Sequence, residues 1–156
     1  MPSRRDLIAM TAGEVRSYLE GQRRIILCTI SAGGMPHAVP MNYGLDEAGR
    51  ILITAFAKSQ KVRNLERDPR ATLLVESGVA YRELKAVMLQ ADAEVIRDPD
   101  QIAALMPLLR ADSEMSASMT GGMSQQVRDS LAKRAMLRFT PFRQVSWDHG
   151  KLGEYY

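Results

Sequence analysis

Seven short runs of strand-forming residues, most joined by connections too brief for a crossover helix, constrain this chain more than any other feature. Ile25–Ile30, His37–Leu45, Ile51–Phe56, Ala71–Glu76, Val87–Ile96, Ala135–Phe139 and Arg143–Trp147 each read as a strand. Parallel neighbours need a crossover of roughly a dozen residues or more, whereas antiparallel neighbours turn in a few. The pattern therefore predicts a mainly β fold, a small antiparallel barrel with peripheral helices. Ile25–Ile30 reads as apolar on both faces. In Val87–Ile96 the residues Gln90, Asp92 and Glu94 alternate with apolar ones, which suggests one wet face. Asp46-Glu-Ala-Gly49 is a hairpin turn with Gly49 available for positive φ. Arg143–Trp147 follows Ala135–Phe139 across Pro141, so these read as two closing strands.

Helices are signalled between the strands. Thr11-Ala-Gly-Glu14 has capping-box spacing, and Val15, Tyr18 and Leu19 form a stripe ending near Gly21. Asp98 caps a helix with Pro99 at its first position and Ile102, Leu105 and Leu109 on one face. The segment 111–126 is rich in Ser, Met and Gly and reads as a mobile loop, with helix resuming over Gln126–Arg134. Residues 1–156 read as a single domain without internal repeats.

The net charge of +3 suits anionic small molecules and does not by itself choose between them and nucleic acid. Aromatic residues make up only 6% and do not interleave with the basic ones, which argues against a stacking nucleic-acid surface. The one cysteine, Cys28, lies in an apolar run, reads as a small buried hydrophobe, and calls for no oxidising compartment. No run approaches a membrane span and no signal peptide is visible, so the expectation is a cytoplasmic protein with no membrane partner. The two histidines are far apart and no Cys, Asp or Glu cluster has ligand spacing, so no metal site is expected.

The segment after the third strand carries the most chemistry. Ile51–Phe56 hands its end to Lys58-Ser-Gln-Lys-Val-Arg-Asn-Leu65, a short helix with Ser59 as N-cap, stopped at Asp68-Pro69. A helix start offers free N–H groups and partial positive charge. Lys58 and Lys61 flank that same end, which makes it a place for a phosphate. The competing reading is a solvated basic face.

Gly34-Met-Pro-His-Ala-Val-Pro-Met41, Ile51-Leu-Ile-Thr54, Lys58–Leu65, Asp68-Pro-Arg70 and Ser146-Trp-Asp-His-Gly-Lys-Leu152, in that order and spacing, carry a resemblance. They resemble the split-barrel flavin-binding superfamily, which contains the pyridoxamine 5'-phosphate oxidases and the deazaflavin (coenzyme F-420)-dependent reductases. The resemblance covers 11–97 best, with a weaker echo in the closing segment 135–156. It implies an antiparallel split barrel of the FMN-binding type and a homodimer with the cofactor between subunits. It implies that Val39, Pro40, Met41 and Asn42 back the cofactor ring, that Thr54 and Ala55 touch it, and that Lys58, Ser59 and Lys61 hold its phosphate. For Trp147 two readings stay open, stacking near the ring or sealing the barrel core.

The departures are informative. Gln60-Lys61 stands where the oxidases carry an Arg-Lys pair, and Ala38 and Tyr43 stand where they carry basic residues. Their C-terminal Arg-x-His motif is missing. The lysine-rich helix start resembles the deazaflavin branch, so coenzyme F-420 is favoured and FMN is the alternative. The implied function is an oxidoreductase moving hydride between coenzyme F-420 and a small, conjugated organic substrate. The alternatives are an FMN-binding oxidase-like enzyme and a non-catalytic flavin-binding protein. No catalytic acid or nucleophile stands out: His37 reads as structural or rim, and water or Tyr43 are the candidate proton sources. Met106, Met115, Met119 and Met123 read either as a substrate entrance or as part of a disordered loop.

Overall fold

The computed structural model describes residues 1–109 and 124–155. Among them, β1 (Arg24–Ile30), β2 (Pro36–Asn42), β3 (Gly44–Leu45), β4 (Ile51–Phe56), β5 (Arg70–Ser77), β6 (Lys85–Ile96) and β7 (Arg134–Asp148) form one antiparallel sheet. Its order is β2-β1-β5-β6-β7-β4-β3. The two edge strands, β2 and β3, are consecutive in the chain and separated by Tyr43 alone. The backbone thus steps from one edge of the sheet to the other within one residue, which curls the sheet into a barrel. Full pairing stops there: β3 meets β4 only at Gly44↔Leu52 and Leu45↔Ile51. Continuing that register would set Asn42 level with Thr54 and Met41 level with Ala55. Those residues are unpaired to one another, and β2 is bonded to β1 instead. The barrel is split along this seam.

Period-two patterning fills the interior. Ile25 and Leu27 of β1, Leu73 of β5, Leu89 of β6 and Phe139 of β7 are all fully buried in one core. Each such side chain contributes about 1.5–3 kcal/mol of burial. Helix α2 (Ala12–Gly21) adds Val15, Tyr18 and Leu19 to this core, and its start carries the complete Thr11–Glu14 capping box. A shorter capped helix, α1 (Arg4–Ile8), precedes it. A second apolar cluster forms on the outside of the β4–β7–β6 region. There Leu52, Met136 and Ile96 meet Ile102 of α4 (Pro99–Leu105), Met106, and Leu131 of α5 (Gln125–Ala132). Gly44 is needed beside it, because a Cβ there would stand 2.2 Å from the Leu108 carbonyl oxygen.

Several sequence expectations change. The two closing strands are one, because a bulge absorbs the proline region: Ala91 pairs with Pro141 and Gln90 with Arg143, leaving Phe142 extra and exposed. Only one face of β1 is fully buried, while Ile26, Cys28 and Ile30 are half-exposed on the other. Met106 is a core residue of the second cluster and lines no entrance. Met115, Met119, Met123 and most of the expected loop 111–126 lie outside the described residues; its last part is helical, with Ser124 capping α5. Among the described residues no helix is long and apolar enough to cross a membrane.

Candidate functional site

Helix α3 (Gln60–Arg67) follows the end of β4 and is the element around which the candidate residues gather. Val62 and Leu65 bury into the barrel core, and a polar clamp fixes the helix to β1. Asn64, fully buried, donates from Nδ2 to Thr29 Oγ1 at 3.0 Å. Its Oδ1 accepts from Gln60 Nε2 at 2.7 Å and from Arg67 at 3.2 Å. Arg67 also reaches the Ile30 carbonyl. At the other end of the helix the Asp68 N–H donates to the Asn64 carbonyl at 2.8 Å. These contacts determine where the helix start points.

That start is rich in unused donors. Ser59 sits at the N-cap with extended backbone, yet its hydroxyl takes no cap hydrogen bond. The Ser59 Oγ is buried and has no partner. Leaving such a group unmet costs about 1–3 kcal/mol, so its position asks for a ligand or a water. Gln60, Lys61 and Val62 are the first helical residues, whose N–H groups lack intrahelical acceptors. Lys58 is exposed and Lys61 half-buried, and neither has an ion-pair partner among the described residues. Amide and hydroxyl donors thus stand at the helix start, called here the cradle, with Lys58 and Lys61 on either side of it in the chain and no anion bonded to them among the described residues. The donor set therefore fits a phosphate.

Tertiary pairing brings the backbone of Lys133 and the side chain of Arg134 alongside the end of β4 that leads into α3. The Ala57 N–H donates to the Lys133 carbonyl at 2.9 Å, and Arg134 pairs with Phe56. The Arg134 guanidinium lies 4.6 Å from the centre of the exposed Phe56 ring. Burial pushes the Arg134 guanidinium below its ordinary pKa, and no carboxylate offsets it among the described residues. Nothing local in the sequence signals Arg134, since its place depends on the register of β7 against β4.

The remaining sequence candidates fall into two groups. Thr54 and Ala55 lie on β4 just ahead of the cradle, the first half-buried and the second buried. Across the seam, Val39 and Met41 pack inward while Pro40 and Asn42 are exposed. The structure therefore gathers Val39, Pro40, Met41, Asn42, Thr54, Ala55, Lys58, Ser59 and Lys61 around the split and its α3 end. Trp147 is not with them. Met136 is the partner of Thr54, and Trp147 lies eleven residues further along β7, paired with Ala86. That is about 35 Å along a strand. Trp147 is half-buried beside a groove of ≈ 580 Å³, whose lining includes Arg5, Met10 and His149. It does not seal the barrel core. Tyr43 is also unavailable: fully buried, its hydroxyl donates to the Leu19 carbonyl, which removes it as a proton source. His37 faces inward from β2 opposite Thr29, and its Nδ1 is buried without a partner.

Comparison with known proteins agrees with the fold. A reductase of 5a,11a-dehydrotetracycline and 5a,11a-dehydrooxytetracycline from Streptomyces rimosus is 28% identical over 134 residues, covering 84% of this chain and 78% of that protein. A conserved hypothetical protein of Mycobacterium tuberculosis superposes with a TM-score of 0.79 at 31% identity, covering 99% of this chain and 95% of the other. An F420 reductase shares the fold at 20% identity and a TM-score of 0.59, covering 83% and 94% of the two chains. The family model for pyridoxamine 5'-phosphate oxidase matches residues 11–147, and the chain is a split barrel belonging to that family.

Proposed function

We propose that the protein is an oxidoreductase that binds a deazaflavin, coenzyme F-420, and reduces a small conjugated organic substrate. The observation that carries this reading is the cradle at the start of α3, where a buried unpartnered Ser59 hydroxyl stands near Lys58 and Lys61 with no ion-paired carboxylate among the described residues. Family membership and the 28% identity to a reductase of dehydrotetracyclines support the reaction class. Gln60 in place of the oxidases' arginine supports the deazaflavin over FMN. When bound, such a cofactor supplies the hydride chemistry itself. The chain's work is then to hold the anionic tail at Ser59, Lys58 and Lys61, to back the ring with Val39–Asn42, and to keep the seam dry.

The site is completed by a second copy of the chain. Pro40, Ile26, Leu74, Met88 and Val145 are successive cross-strand partners over five strands, so they form one continuous apolar row on the outer face. Four of them are half-buried and Pro40 is exposed, which suits a symmetric dimer face. The partner copy is then the source of the Trp147 wall that one protomer cannot bring to its own cradle.

Titration of the purified chain with coenzyme F-420 and with FMN, followed by fluorescence, tests the reading. Tighter binding of coenzyme F-420 and substrate-dependent loss of its reduced form are expected. Equal or absent binding of both removes the proposal; tight FMN binding alone moves it to the FMN-dependent alternative, and binding without turnover to a flavin-binding protein. Leu74→Glu should yield a monomer by sedimentation and weaken cofactor binding with it.

A further inference from the structure

We infer that the Lys85–Asp148 ion pair is a positioning device for Trp147, setting the direction in which the indole faces the cofactor ring of the second copy; this rests on the dimer reading above. Side chains alternate between the two faces of a strand. Trp147 therefore shares its face of β7 with Val145 of the apolar row, whereas Ser146 and Asp148 stand on the other. No hydrogen bond holds the indole itself among the described residues. Its cross-strand partner is Ala86, whose methyl can neither bond an indole nor wedge it. The backbone that carries the ring therefore decides where it stands.

That backbone is tied on both sides of Trp147. Before it, Ser146 Oγ accepts from the Met10 N–H at 3.0 Å. After it, Asp148 Oδ2 meets Lys85 Nζ at 3.1 Å, and Asp148 Oδ1 accepts from the Gly150 N–H at 2.9 Å. The His149 N–H donates to the Leu84 carbonyl at 2.9 Å. Lys85 is seated in turn by α2. The Tyr18 hydroxyl donates to the Lys85 carbonyl at 3.0 Å and lies 2.8 Å from Ser77 Oγ. The Lys85 ammonium stands 5.3 Å from the centre of the Tyr18 ring. Tyr18 is buried and Ser77 is the β5 partner of Lys85, so α2, β5, β6 and β7 converge on the pair. The Lys85 and Asp148 side chains are only 32% and 23% exposed. Drawing charges out of water is costly, and an apolar pair of similar volume often serves stability as well. What the ion pair adds is direction: it fixes the residue next to the indole to a frame built of α2, β5 and β6.

Trp147 is the single tryptophan of the chain, so tryptophan emission reports it alone. Time-resolved anisotropy of the full chain is recorded without ligand, and emission is followed during titration with FMN and with coenzyme F-420. In the wild type a bound cofactor should quench Trp147. Asp148→Asn keeps an acceptor for the Gly150 N–H and removes the charge that Lys85 meets. A fast component should appear in its anisotropy decay, and most of the quenching at saturation should be lost. Lys85→Met should do the same and serves if Asp148→Asn does not fold, whereas Lys85→Arg keeps the ion pair and should behave as the wild type. If cofactor quenches the wild type and Asp148→Asn or Lys85→Met matches it in both readouts, the pair has no hold on Trp147 and this inference alone fails. If cofactor binds the wild type without quenching, Trp147 is not at the ring and the dimer reading fails with it. If the wild type binds neither cofactor, the proposed function falls as well.

Discussion

Replacing Asn64 with alanine tests whether the polar clamp aims the cradle. Asn64 is fully buried and bonds Thr29, itself 1% exposed. Removing the amide leaves the Thr29 hydroxyl without its donor in a dry place, a loss of about 1–3 kcal/mol. Gln60 is exposed and Arg67 is exposed, so both recover water and add little. The missing side-chain volume adds about 1 kcal/mol more. The expected total is about 2–4 kcal/mol, or a fall in Tm on the order of 5–15 °C for a chain of this size. Thermal and urea melts measure it. The same change in a Thr29→Val background should cost less by about 1–2 kcal/mol, because the orphaned hydroxyl is gone. FMN or coenzyme F-420 affinity should fall with Asn64→Ala even well below the new Tm, since the helix start is no longer held. Strict additivity of the two substitutions, or a variant with unchanged ligand affinity, would refute the clamp as the device that orients α3.

Three further outcomes are expected. Lys61→Ala should weaken phosphate-bearing flavins by about 1.5–3 kcal/mol through loss of one charge-assisted bond, and equal affinity in a fluorescence titration would move the anion site elsewhere. Tyr43→Phe should cost about 1 kcal/mol in a urea melt, because the Leu19 carbonyl loses its donor, and should leave any hydride-transfer rate unchanged; a collapse of that rate would return Tyr43 to the chemistry. The Arg70 guanidinium, through its hydrogen bonds, holds the Asp68 carboxyl down to about 2 from an ordinary 3.8. Its folded value lies below its unfolded one, so its contribution to stability is complete above about pH 4 and is lost as the pH falls towards 2. Asp68→Asn should remove that part of the acid dependence in urea melts taken across the window, and an unaltered profile would contradict it.

Local chemistry was legible where a few neighbouring residues decide the outcome. Thr11 and Glu14 announce their helix because a capping box closes within four residues. The Asp46–Gly49 turn is equally local, with Gly49 at φ 80° and the Gly49 N–H donating to the Asp46 carbonyl at 2.9 Å. The Ile51–Phe56 strand and the helix after it were readable for the same reason, and with them Lys58 and Lys61. Ser59 was legible only as a cap. That its hydroxyl stays unpaired follows from how Asn64 and Thr29 seat the helix, and no window around Ser59 contains that information.

The amino-acid order alone determined the strand and helix periods, the short connections that force antiparallel pairing, and the basic start of α3. Each follows from interactions among residues a few positions apart. The tertiary structure decided the rest: closure through Tyr43, a single β7 made continuous by the Phe142 bulge, Arg134 over Phe56, and Trp147 held far along β7 from the cradle. Those outcomes depend on registers between segments distant in the chain, which only packing of the whole barrel selects.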